Sequence, residues 1–432
     1  MINNSHRAKR RTLLTGAAAT AALGAAAACG DDGPAGTADD PIQISFEWWG
    51  DEARADITQQ AVDLFQEKNE GIKVRTNFSD FPTYWESMTT RMAGRDLPDV
   101  LNMDYSRLLQ FGSNGMLLPL EGLVDTSQFI EGFLDTGYVN DELVAVPIAG
   151  NTLGLIYRSD WYEAAGVELE PGYTWDDYHQ AIASVTAELG SGSQWGGGDY
   201  AGQYHFMELW LRQQGGSFYT EDGTALNFDK SELTAWWSRN AGLHTDGAVP
   251  PIDVTTQWAP ENGFVLDQLG ADLGWDNFLA WYAPTVAENG GSLALAAPPT
   301  DDPSSIGLYL KPSMQLCISA TTDHAEQSAQ LIDFLLTDPE AIAILGTNRG
   351  IPATSVGREN VVVDEISQQV LDYEASVEQY LTTPPPPPPS ATGAIEAKFG
   401  EIYEQVLYET MTPADAADTF FTEAETLLAA EQ

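Results

Sequence analysis

The chain has 432 residues, of which 64 are acidic and 19 basic, giving a formal net charge of −45. That imbalance excludes nucleic acid and anionic lipid headgroups as partners of the surface, and it argues against a polyanionic ligand. Two cysteines, Cys29 and Cys317, provide no disulfide framework, and the length exceeds what one core supports, so two domains are expected.

The first 28 residues read as an export signal and not as part of the fold. The basic run Lys9-Arg10-Arg11 precedes an alanine-rich apolar stretch that stops at Ala26-Ala27-Ala28-Cys29. Paired arginines point to the twin-arginine route. Small residues before a cysteine resemble a lipobox, although Ala26 stands where leucine is usual. The mature protein is therefore expected to begin at a diacylated Cys29, with cleavage at an Ala-x-Ala site and no lipid as the alternative. Leu13 to Ala28 is too short to remain as a membrane span, which takes ~20 apolar residues. Loss of Arg7, Lys9, Arg10 and Arg11 leaves 15 basic residues and a net charge of −49. The acidic residues are spread along the whole chain, which reads as a solvated surface suited to high ionic strength.

Residues 29–40 read as a flexible tether. The folded body opens at Pro41, where Ile42 to Trp48 alternates with period two and Gly50-Asp51 turns the chain into a helix with Ile57, Ala61, Leu64 and Phe65 on one face. Ile72, Val74, Thr76 and Phe78 alternate again, and this strand-helix-strand opening predicts a parallel sheet and an α/β class. Further strands are expected at Asp99 to Met103, Leu143 to Ile148 and Thr152 to Tyr157, and a helix at Trp175 to Leu189 opened by Thr174. Met314 to Ile318 reads as a buried strand holding Cys317 as a structural thiol. Helices follow from Glu326 to Leu336 and from Asp338-Pro339-Glu340. Pro384 to Pro389 form a stiff rod of ~19 Å at ~3.1 Å per residue, read as a rigid loop in preference to a ligand for a proline-recognition module. The segment from Ile395 to Ala430 is helical, its last helix starting at Thr412-Pro413.

In this order the elements resemble the extracellular solute-binding lipoproteins of ABC importers, in the sugar-oriented group similar to maltose-binding protein. The residues that carry the resemblance are Ile44 to Trp49, Leu97-Pro98-Asp99-Val100, Gly115 to Leu120, Val146-Pro147, Gly154 to Arg158, Gly215-Gly216, Asp338-Pro339-Glu340 and Arg349-Gly350-Ile351-Pro352. It spans roughly 41 to 430. It implies an α/β, two-lobe periplasmic-binding-protein-like fold with a ligand cleft between the lobes and a multi-strand hinge. Carried over, lobe one takes 41–149 plus 273–320, and lobe two takes 150–272 plus 321–432.

Open α/β sheets bind ligands beyond the carboxyl ends of their strands, so site residues are sought there. After the first strand stand Trp48, Trp49 and Asp51; alternation makes Trp49 the better ligand candidate and Trp48 the better core residue, while Asp51 can accept from sugar hydroxyls or cap the next helix. Asp104, Tyr105 and Arg107 match cleft-lining positions in the family, and Asn151 matches a polar ligand contact. Tyr200, Tyr204 and His205 come from an aromatic-rich stretch; His205 reads as a hydrogen-bond partner, since no second His or Cys accompanies it. Trp275 and Asn277 resemble the family's aromatic platform, and an indole face suits the C–H face of a sugar. Arg349 matches a turn facing the cleft. Two departures from the family pattern fall in lobe two: the six prolines, and the lack of a glycine near Glu409 to Met411.

The resemblance implies a lipid-anchored monomeric receptor that captures a sugar or oligosaccharide outside the cytoplasmic membrane and hands it to ABC permease subunits, with no cofactor or metal. An enzyme is not expected, since no Gly-x-Ser-x-Gly elbow, phosphate loop or zinc-spaced histidine cluster occurs. The alternative is a cationic solute such as a polyamine, for which Asp51, Glu52, Asp104 and Asp276 are the available carboxylates.

Overall fold

A computed structural model describes residues 36–258 and 261–430. The export segment, Cys29 and most of the expected tether lie outside the described residues. Among the described residues eleven strands occur in chain order: β1 (Ile42–Trp49), β2 (Ile72–Ser79), β3 (Val100–Met103), β4 (Tyr138–Val139), β5 (Glu142–Leu143), β6 (Val146–Asn151), β7 (Leu153–Arg158), β8 (Ala271–Trp275), β9 (Leu293–Ala296), β10 (Lys311–Ile318) and β11 (Ile351–Pro352). Six of them form one sheet in the order β11-β6-β10-β3-β1-β2, and three form a second in the order β8-β7-β9.

The parallel pairing predicted for the opening is present, with β1 in register with β2 from Ile42 opposite Ile72 to Trp49 opposite Ser79 and β3 parallel on its other side. The sheet is nevertheless mixed, because β10 runs antiparallel to both β3 and β6. Period-two alternation in β1 divides its side chains between two helical layers. Ile44, Phe46 and Trp48 pack with Phe65 of the helix Glu52–Lys68 and with Ile332 and Leu335 of the helix Ala325–Thr337. Trp49 packs on the opposite face with Tyr84 and Trp85 of the helix Phe81–Gly94. Glu47 shares that face, and an ion pair of 2.7 Å from Arg91 accommodates its buried carboxylate. Cys317 is buried within β10, where desolvation pushes its thiol upward and keeps it protonated.

Helix ends follow their sequence signals. Thr174 opens Trp175–Leu189 with a reciprocal capping box to Asp177. Asp338 and Thr412 cap Pro339–Leu345 and Pro413–Ala429, each with proline in the first turn. Among the described residues no helix is long and apolar enough to cross a membrane.

The two sheets divide the chain differently from the expected boundaries. Residues 273–309 do not leave for lobe one: β8 and β9 both pair with β7, with Leu153 opposite Trp275 and Leu155 opposite Ala296. Residues 321–360 do not join lobe two, because Leu331, Ile332, Leu335 and Leu336 complete the core over β1 and β11 pairs with β6. The chain therefore passes between the lobes at Thr152, at Leu310 and at 361–364. Thr152 is fully buried and pinned on three sides: its N–H donates to Asp276 Oδ2 at 2.9 Å, its carbonyl accepts from the Asp276 N–H at 3.0 Å, and its hydroxyl donates to the Tyr309 carbonyl at 3.0 Å. Across the third passage, Arg358 meets the buried Glu374 at 2.6 Å.

Candidate functional site

Two cavities lie side by side between the lobes, and Lys311, the first residue of β10, lines both. The first encloses about 420 Å³. Its walls are aromatic: Tyr105 from lobe one, and Tyr204, His205, Phe218, Tyr219 and Tyr309 from lobe two. Pro384 to Pro389 close one side, so the rod is a wall of the cavity as well as a loop between helices. Proline has no N–H and can only accept hydrogen bonds through its carbonyl. The Tyr105 hydroxyl donates to the Pro385 carbonyl across the cleft, and Arg212 Nη2 donates to Thr382 Oγ1 and the Thr383 carbonyl at 2.7 Å each, holding the start of the rod.

Glu208 sits at the back of this cavity, buried, accepting from the Tyr309 hydroxyl at 3.1 Å. Burial raises its carboxyl above the usual range, and Arg212 and His205 oppose that rise. His205 Nε2 lies 3.3 Å from Glu396, whose carboxyl the contact lowers, and its Nδ1 is buried without a partner.

The second cavity encloses about 590 Å³. Trp49, Trp275, Phe278 and Trp281 give it indole and phenyl surface; Asn151, Asn277, Ser313 and Asn348 give it polar groups; Arg54, Lys311 and Arg349 give it charge. The side-chain oxygens of Asn151 and Asn277 are buried without hydrogen-bond partners. Gly350 lies over Asn151 with φ +102, a conformation L-residues avoid, and a Cβ there would stand 3.1 Å from Asn151 Oδ1 and from the Gly150 carbonyl. Trp275 stands where the cavities meet, its ring 5.3 Å from the His205 ring and 5.0 Å from Lys311 Nζ. Trp281 projects at the rim, 66 % exposed, stacked on Phe278 with centroids 5.0 Å apart.

Of the residues singled out in the sequence, Trp275, Trp49, Asn151, Asn277 and Arg349 line the second cavity, and Tyr105, Tyr204 and His205 line the first. Five lie elsewhere. Trp48 is 1 % exposed and packs between Phe46 and Phe78, since the helical layer behind β1 covers it. Tyr200 is buried in the lobe-two core against Trp175 and Trp236, with its hydroxyl 2.7 Å from His179. Asp51 and Asp104 cap helices, accepting from the N–H groups of Arg54 at 2.8 Å and Ser106 at 3.0 Å. Arg107 lies over Trp85, 5.9 Å from its ring. Sequence reasoning missed Arg54, Glu208, Arg212, Tyr309, Lys311 and Trp281. The one available signal was rarity: a lysine or arginine beside aromatics stands out in so acidic a chain.

The profile of the bacterial extracellular solute-binding protein family matches residues 49–342, and the chain belongs to that family. An ABC transporter extracellular-binding protein of Pyrococcus horikoshii is 24 % identical over 340 residues, covering 72 % of each chain. The arabinooligosaccharide-binding protein of Bacillus subtilis is 28 % identical over 147 residues, 33 % of this chain and 34 % of that one. Among solved structures, an extracellular solute-binding protein of family 1 from Alicyclobacillus acidocaldarius superposes with a TM-score of 0.77 at 28 % identity, covering 90 % of this chain and 98 % of that one. The fold is that of a two-lobe solute-binding protein.

Proposed function

We propose that the protein captures a saccharide between its lobes and delivers it to the permease subunits of an ABC importer, held at the outer face of the cytoplasmic membrane by lipid on Cys29. The observation that carries this reading is the setting of Trp275: an indole at the junction of two cavities, flanked by His205 and Lys311, in a lining that also holds the amides of Asn151 and Asn277, whose oxygens have no partner. Aromatic faces take the C–H surface of a sugar ring, and convergent amides take its hydroxyls. The name of the Bacillus subtilis relative, a binder of arabinooligosaccharides, supports the same class. Closure of the lobes about their crossing segments would bury the ligand between preformed walls.

The four carboxylates expected for a polyamine lie outside both cavities, while Glu208 and Glu221 line the aromatic one. Asp51 and Asp104 cap helices, Asp276 is buried at the Thr152 crossing and Glu52 is exposed on its helix, so none of the four lines either cavity. A thermal-shift panel of mono- and oligosaccharides with spermidine alongside separates the readings. A ligand at 100 times its dissociation constant adds ~2.7 kcal/mol of stability, so at least one saccharide is expected to raise Tm by several degrees. A shift with spermidine and none with any saccharide would refute the proposal.

A further inference from the structure

The charge of the second cavity is the reverse of the charge of the molecule. Although the chain holds 64 acidic residues, not one lines this cavity, whereas three of its 19 basic residues do: Arg54, Lys311 and Arg349. Of the twelve described cations outside this cavity seven are matched, and Lys73, Arg75, Arg95, Arg107 and Arg212 are not. Lys68, Arg91, Arg158, Lys230, Arg239, Arg358 and Lys398 each hold a carboxylate. Among the described residues none of the three cavity cations has such a partner.

Arg349 makes the point most sharply. It is 7 % exposed, yet its guanidinium finds only the Thr58 hydroxyl, and Nη1 is buried with no partner. Its near neighbour is another guanidinium: Arg54 reaches the same loop, donating from Nε to Asn348 Oδ1 at 2.9 Å and from Nη2 to the Asn348 carbonyl at 3.2 Å. Burial and the repulsion of Arg54 pull the Arg349 group down to about 9. A buried charge without a counter-ion is a standing cost to a fold, and an anion brought by the ligand would remove it. Asp51 is close to Arg54 and favours its charge, but that carboxylate is exposed and caps the helix. Lys311 acts on Glu208 and Glu396 across the aromatic cavity and ion-pairs with neither.

We infer that the cavity of Arg54, Lys311 and Arg349 receives an anionic substituent, so that the saccharide this protein captures is an acidic one, bearing carboxylate, sulfate or phosphate. The inference rests on the saccharide reading above and narrows it. Guanidinium pairs bind planar or tetrahedral oxyanions through two parallel N–H donors, and the aromatic cavity beside them accepts an uncharged ring.

Calorimetric titration of the exported chain with matched pairs tests this: trigalacturonate against galactotriose, a glucuronic-acid-substituted xylo-oligosaccharide against its unsubstituted parent, and sulfated and phosphorylated against plain disaccharides. An acidic member is expected to bind at least ~10-fold more tightly than its neutral partner, with the advantage shrinking as salt rises. The class of the winning pair identifies the oxyanion. Arg54→Gln, Lys311→Met and Arg349→Gln are each expected to bring the acidic-to-neutral ratio down toward one, and the first two carry the test if the buried Arg349 variant does not fold. A neutral saccharide that binds as tightly as its acidic partner would overturn the anionic assignment and leave the saccharide reading standing. Failure of every saccharide, neutral and acidic, would overturn both.

Discussion

Trp275 and Trp281 do different work at one cavity. Trp275 is mostly buried and packs with the lobe-two core, so truncating it removes apolar contacts as well as ligand surface. Trp281 is exposed and stacked only on Phe278, so its indole contributes to the rim and little to the core. Trp281→Ala is accordingly expected to weaken saccharide binding ~10-fold while leaving the ligand-free Tm unchanged, as read by tryptophan-fluorescence titration beside a melting curve. An unchanged affinity would place the ligand away from that rim. At this scale the sequence was legible where chemistry and position coincided. Trp49 was separable from Trp48 by alternation alone, since their side chains leave β1 on opposite faces. It was illegible where a polar residue had two uses: Asp51 and Asp104 follow strands as ligand contacts would, and both are spent on helix N–H groups.

Strands and helices with strong punctuation lie where their residues predict, as Thr174 ahead of Trp175–Leu189 illustrates. Lobe membership was not legible, because periodicity reports which face of a strand is buried and not which partner strand buries it. Thus β8 carries the expected aromatic platform yet pairs with β7 in lobe two. That pairing brings Asp276, just beyond β8, to the Thr152 crossing and within reach of Glu374, which holds Arg358 of the other lobe. Burial, then the neighbouring Glu374, raises the Asp276 carboxyl well above its ordinary value, so that it holds a proton the unfolded chain would lose. The unfolded chain releases this proton near pH 3.9. Above that value the native state binds more protons than the unfolded state, so the contribution to stability declines as pH rises toward the folded-state value, by at most ~1.4 kcal/mol per pH unit. Asp276→Asn keeps a hydrogen-bonding side chain and removes the ionisation. Melting curves from pH 5 to 8 are expected to show the variant gaining on the wild type as pH rises; a constant difference would mean that Asp276 is ionised throughout.

For the whole molecule, net charge describes the outer surface and fails inside the cleft. The value of −45 argued against a polyanionic ligand, yet the second cavity concentrates cations and excludes carboxylates. Composition averages over the chain, whereas a cavity is assembled from a few residues far apart in sequence, here Arg54, Lys311 and Arg349 brought together by two passages of the chain between the lobes. A negative exterior with a positive second cavity also focuses an anion inward once it is within a Debye length of ~8 Å at physiological salt. The family fixes the fold and the general task, and the cleft residues decide the ligand. The most direct test of that account is a crystal structure with the tightest-binding saccharide of the panel. The account predicts ligand density between the lobes, in contact with both Trp275 and Lys311. Density confined to the outer face of either lobe, with the cleft filled only by water, would contradict it.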